Sequence, residues 1–263
     1  MIQHLLQLIW NQRKQNAWLW AELLLVSVFL WFLVDYLYVM GRTYTAPLGF
    51  DIRHTYSIVI SSLSERSPDY IPKEKRERPD GVHLLTALDR IRTYPGVESA
   101  CLTDGGMPYY MGSRNLVWRI DTLQVPCRYA FVTPEFFDVF RIYDKDGKTA
   151  SLKRAIEDNN SIVISADVET MNPGLSLLGQ KAYRGNVTDE IEETIRGISV
   201  PIRRHEYTKA EPNVYRALRL SRMEEGYYEG MIDAVRLCVR VRPDVDNADS
   251  PHASARIWPN SFG

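Results

Sequence analysis

The stretch Ala17–Met40, AWLWAELLLVSVFLWFLVDYLYVM, decides how the chain is organised. Its centre, Leu23–Val34, carries no charge, and Ser27 is its one weakly polar residue. As a helix, these residues would reach about 36 Å, enough to cross a hydrocarbon core of ~30 Å with some tilt. Aromatic residues gather at both ends, Trp18 and Trp20 first, then Trp31, Tyr36 and Tyr38, which is where interfacial anchors sit. Glu22 and Asp35 lie one near each end. Acids at such depths reach for the interface or face a partner helix or water. Residues 17–40 therefore read as one transmembrane helix.

Residues 1–16 place Ile2, Leu5, Leu6, Ile9 and Trp10 on one helical face, which predicts an amphipathic helix on the membrane surface. Arg13 and Lys14 precede the span and only Arg42 follows closely, so the positive-inside rule puts the N-terminus in the cytoplasm and the body outside it. The apolar run exceeds the usual 7–15 residues of a signal-peptide core, and no small-x-small cleavage site follows closely. An uncleaved anchor fits better than a signal peptide.

With 263 residues, the chain has room for one span and one or two compact lobes. A net charge of −1 and the lack of a basic stripe give no reason to expect a nucleic-acid partner. Cys101, Cys127 and Cys238 are far apart and form no CxxC pair. They read either as three buried thiols or as one disulfide in an oxidising compartment plus one thiol.

From residue 41 to 242 the pattern predicts a strand-rich α+β body of two lobes, hinged near Arg141–Asn160. His54–Leu63 alternates as a strand. Leu84, Leu85, Leu88 and Ile91 form a helical stripe behind a possible cap at Asp80, and Tyr94-Pro95-Gly96 stops that helix. Strands are expected over 97–103, 115–121, 125–132, 161–165, 180–184, 193–202, 214–221 and 234–241. Thr133-Pro134 suits a helix start that buries Phe136, Phe137 and Phe140. In the last strand Val235, Leu237, Val239 and Val241 point inward, which leaves Arg236, Arg240 and Arg242 as a solvated face. Residues 243–263 have little periodicity and read as a poorly ordered tail.

The chemistry-bearing motifs are missing. There is no GxxxxGK[ST], no GxSxG and no HExxH, and the five histidines are scattered. Asp144-Lys145-Asp146-Gly147 resembles part of an EF-hand loop, but Ile142 and Lys153 would occupy its first and twelfth positions, so a tight turn is expected. Catalytic, cofactor-binding and metal residues are all expected to be none, and the chain is not expected to be an enzyme.

The order of several passages resembles the MacB-like, FtsX-like permease subunits of ABC transporters. Tyr94-Pro95-Gly96-Val97-Glu98-Ser99, Phe131-Val132-Thr133-Pro134-Glu135-Phe136-Phe137, Ser161–Ser165 with Gly179-Gln180-Lys181, and Ile195–Arg203 are similar to passages of that family in the same order. Glu22–Leu25 with Trp31–Asp35 is similar to its first span. The resemblance implies a non-catalytic subunit of the bacterial inner membrane with a periplasmic core domain. It implies an ABC ATPase subunit and a second permease subunit as partners, with ATP hydrolysis coupled mechanically to periplasmic movement. The family has three further spans after that domain, whereas Pro243–Gly263 contains no apolar run of spanning length. The resemblance therefore implies a truncated, split or stand-alone version. Two other readings stay open: a membrane-anchored extracytoplasmic binding or sensor module without an ATPase, and an anchored enzyme with an unrecognised site.

Overall fold

The structure is a computed structural model. It describes residue 10 and residues 17–246, apart from 62, 73, 74, 111, 113, 186–189 and 229–231. The expected surface helix over residues 1–16 lies outside the described residues, Trp10 excepted. So does the tail beyond Asp246.

The chain divides into two compact units. One holds helix α1, Ala17–Thr45, together with Glu206–Thr208. The helix runs past the expected end at Met40, and Thr45 Oγ1 donates to the Gly41 carbonyl at 3.1 Å in its last turn. Within this unit the Tyr44 and Tyr207 rings lie 5.7 Å apart.

The other unit is the α+β body, which begins at Leu48. Its elements in order are β1 (Thr55–Val59), α2 (Asp80–Arg92), β2 (Val97–Asp104), β3 (Arg114–Ile120), β4 (Leu123–Val132) and α3 (Phe136–Val139). They continue with α4 (Ala150–Ala155), β5 (Ser161–Ser165), α5 (Asp167–Met171), β6 (Lys181–Arg184), β7 (Ile191–Ser199), β8 (Asn213–Ala217), α6 (Leu220–Glu224) and β9 (Arg236–Val241). All nine strands join one sheet in the order β1-β9-β2-β4-β3-β6-β7-β5-β8. A parallel pairing of β8 back onto β4, from Arg128↔Asn213 to Val132↔Ala217, closes the last six strands into a barrel. Strands β1, β9 and β2 form a wing attached where Thr103 and Asp104 pair with Val132 and Phe131.

Alternation explains the cores. Trp118, Ile120, Val125, Cys127, Ile162, Ile164, Ala182, Ile195 and Val214 point into the barrel and bury one another. Val163 and Tyr215, the odd partners on β5 and β8, point outward against Phe136, Phe137, Phe140 and Leu152. The α2 stripe Leu84, Leu88 and Ile91 covers Ala100, Leu102, Leu237 and Val239 of the wing. Wing and barrel thus behave as one compact unit. The segment Arg141–Asn160 carries Ile142, Leu152 and Ile156 into the Phe136–Phe137 cluster. The two parts join at β2–β4.

Two expected caps form differently. Asp80 lies inside the first turn of α2, behind Pro79, and its carboxylate holds Arg76 at 2.8 Å. Thr133 does not cap α3. Its hydroxyl accepts the Leu102 N–H at 3.2 Å, while its own N–H donates to the Leu102 carbonyl at 3.0 Å, which pins the β4 end to β2. The expected strand over 214–221 stops at Ala217, and Leu220 begins α6.

Candidate functional site

Every described residue of α1 lacks burial, although the helix is apolar and long enough to cross a membrane. With 3.6 residues per turn, Trp20, Ser27, Trp31 and Tyr38 fall within a sector about 40° wide. Trp18, Glu22, Phe29 and Tyr36 fall in a second sector of similar width, on nearly the opposite side. Each aromatic group therefore has one member near each end of the helix. Glu22 and Asp35 lie roughly 140° apart around the axis, so the two acids do not share a face. Trp18, Trp20, Trp31, Tyr36 and Tyr38 are all exposed along it.

The body carries its polar chemistry in buried clusters. Arg240, expected on a solvated face, is only 2% exposed. Its strand β9 lies between β1 and β2, and both of its faces are covered. The guanidinium donates to the Val139 carbonyl at 2.7 Å, to the Arg53 carbonyl at 2.8 Å and to the Asp51 carbonyl. It ties the chain entering β1 to the end of α3. Glu193 points into one end of the barrel on the same face as Ile195. Arg216 Nε reaches its Oε1 at 2.8 Å, and Arg184 Nε stands 3.4 Å from its Oε2. Arg216 also stacks over the Phe131 ring at 4.9 Å.

Asp246 marks the end of the described chain. Its carboxylate accepts the Tyr56 hydroxyl at 2.6 Å and meets His54 Nδ1 at 2.5 Å. Hydrogen bonding to Asp246, then burial, pushes the Tyr56 phenol up to about 12. Burial raises the Asp104 carboxyl against the pull of Arg114, and burial raises Asp167 against a bond from Ser165. Asp144 accepts the N–H groups of Asp146 and Lys148 at 2.9 and 2.8 Å, with Gly147 at φ +76°, so this turn closes on its own carboxylate.

Two of the surface clefts formed by the described residues are large enough to hold a small molecule. One, of about 330 Å³, is lined by Arg92, Thr133, Glu135, Asn159, Arg219 and Ser221, with Arg92 paired to Glu135 at 2.8 Å. The other, of about 350 Å³, is lined by Phe50, Asp51, Arg53, Arg141, Tyr143 and Val200. Among the described residues no three His, Cys, Asp or Glu side chains gather as a metal site would need. Arg240 and Asp246 escaped the sequence reading. An alternating strand can be read for one buried face but not for two, and Asp246 follows the last strand with no pattern around it.

The architecture is an apolar helix followed by a strand-rich α+β body with a closed six-stranded barrel. No family model matches the chain, and no curated protein matches it. Among solved structures, the chain is similar to a domain of a permease protein from Porphyromonas gingivalis, with 20% identity and a TM-score of 0.44. That match covers 62% of this chain and 63% of the other, so the chain spans less than two thirds of that structure. It is similar to the periplasmic region of MacB from Actinobacillus actinomycetemcomitans, with 10% identity, a TM-score of 0.43 and coverage of 79% and 83%. It is also similar to the extracellular domain of the noncanonic ABC-type transporter YknZ from Gram-positive bacteria, with 11% identity, a TM-score of 0.43 and coverage of 76% and 91%.

Proposed function

We propose that the chain is a non-catalytic membrane subunit of the MacB-like permease type. In this reading α1 crosses the bacterial inner membrane with its N-terminus in the cytoplasm, and the body lies outside it. The body passes on movement driven by ATP hydrolysis in a separate ATPase subunit, beside a second permease subunit. The observation that carries the reading is the helix: 29 residues, apolar through the middle, none of them buried. Leaving so many Leu, Val, Phe and Trp side chains in water would cost about 25 cal/mol per Å² of apolar surface, a cost that a bilayer removes.

The passages that resemble the permease family add support. Tyr94–Ser99 forms the turn from α2 into β2, and Phe131–Phe137 forms the β4–α3 corner where Phe136 and Phe137 are sealed. Ser161–Ser165 is the buried strand β5, and Ile195–Arg203 carries most of β7. These are joints on which the body depends.

Protease added outside intact spheroplasts should cut the exposed segment around Ser64–Asp69 while the N-terminus stays protected. A protected body would overturn the placement. Affinity isolation from gently solubilised membranes should recover an ATPase and a second permease subunit. If the protease result holds and no ATPase is recovered, the second reading takes over, an anchored binding or sensor module. The cleft of about 330 Å³ beside Arg92 and Arg219 favours that alternative, because ligand pockets run from ~300 Å³ upward.

A further inference from the structure

Cys101 on β2 and Cys238 on β9 are direct register partners of an antiparallel pair. Their neighbours Ala100, Leu102, Leu237 and Val239 point to the α2 side of the wing. Alternation therefore sends both sulfurs to the opposite side, into the cluster of Phe136 and Phe137. Both cysteines are fully buried, and Cys238 Sγ also lies 3.2 Å from Met107 Sδ. Residues directly opposite in an antiparallel ladder have Cα atoms ~4.5–5.5 Å apart. That falls inside the ~4.4–6.8 Å that a disulfide spans. Cys127 points into the barrel, in a different cluster, and can reach neither. Of the three pairings that three cysteines allow, the topology leaves one.

We propose that Cys101 and Cys238 are joined by a disulfide in the mature protein, stapling β9 to β2 at the middle of the wing. The inference rests on the extracytoplasmic placement, because cytosolic thiols are kept reduced. The oxidant is of the disulfide class. One cysteine thiolate attacks a sulfur of the oxidant and releases its other sulfur as a thiolate. The second cysteine thiolate then attacks the mixed disulfide. The Cys101–Cys238 bond forms, two protons are released from the cysteines, and the oxidant carries away both electrons as two thiols. Burial raises the Cys101 thiol well above its ordinary value, so the finished core offers little thiolate. The exchange therefore takes place after β9 has met β2 and before the Phe136 and Phe137 cluster seals over the pair.

The test uses the full chain, expressed in its membrane and lysed directly into denaturant with an alkylating reagent present, so that buried free thiols are blocked before peptide mapping. The expected result is a linked peptide pair containing Cys101 and Cys238, with only Cys127 alkylated. The link persists in Cys127→Ala, and Cys101→Ala leaves Cys238 alkylated. Reduction lowers the urea midpoint of the linked chain and leaves that of a Cys101→Ala/Cys238→Ala double variant unchanged. Alkylation of both Cys101 and Cys238 in the chain from cells overturns the proposal. A parallel refolding in oxidised and reduced glutathione then shows which premise failed. Closure there means that the compartment is not oxidising, and the placement reading falls. No closure there means that the pair itself cannot bridge.

Discussion

Arg240 holds three main-chain carbonyls, that of Val139 in a buried bond and those of Arg53 and Asp51 in part-buried ones. Replacing it with Met keeps much of the volume but leaves the buried Val139 carbonyl without a donor, at about 1–3 kcal/mol, while the part-buried carbonyls of Arg53 and Asp51 lose theirs at a smaller cost. Arg240→Met should therefore lose about 1–3 kcal/mol in urea unfolding, and Arg240→Lys should recover only part of it, because an ammonium cannot span three separated carbonyls. Tyr56 supplies a pH signature. Its folded-state phenol is raised to about 12 by the bond to Asp246, against an unfolded value of about 10. A raised folded value contributes stability that is complete below the unfolded value and is lost as pH climbs through the folded one. The urea midpoint of the native chain should fall between about pH 10 and about pH 12, and Tyr56→Phe should flatten the part of that fall due to this group. Tyr56 was legible as one face of the first strand, but its bond to Asp246 and the burial of Arg240 were not. The alternation of Val235–Val241 shows one apolar face; Arg242 is solvated as that pattern suggests, whereas Arg240 looks solvated only until the carbonyls of Val139, Arg53 and Asp51 are known to hold it.

At the scale of elements, α1 and α2 show how far periodicity reaches. The α1 reading rested on composition and length, which are local, and the helix appears where expected with five more residues at its end. Phe29 sits near its middle with no neighbour to shelter a charge. Phe29→Arg should reduce the membrane-inserted fraction, since an arginine at a helix centre costs about 2.5–3.5 kcal/mol on insertion scales. Alkaline extraction of membranes would show the variant released where the native chain stays. The α2 stripe was likewise readable, but its partner was not. A Cβ at Gly81 would stand 2.3 Å from the Met223 carbonyl oxygen, so α2 and α6 meet backbone to backbone. Gly81→Ala should cost about 1–3 kcal/mol by overpacking, measured as a lower thermal midpoint. The short α4 and α6, of six and five residues, were missed.

For the whole molecule, strand positions were readable to within a few residues, while the pairing that closes the barrel was not. The parallel contact of β8 with β4 joins Arg128 to Asn213, 85 positions apart in sequence, and no local pattern encodes a partner that distant. The same limit hid the cysteine pair, whose members meet only once β9 lies beside β2. What the sequence did carry is the division between a long apolar helix and a strand-rich body. From Leu48 onward the chain has three hydrophobic clusters of its own and a closed sheet. A chain started at Leu48 should therefore fold, with a cooperative unfolding transition and near-native circular dichroism, and should leave the membrane fraction. Were it instead to aggregate or unfold without cooperativity, the body would depend on α1 for more than attachment. Retention in the membrane fraction as a folded protein would mean that the body holds the bilayer by a surface of its own, and α1 would no longer be its sole anchor.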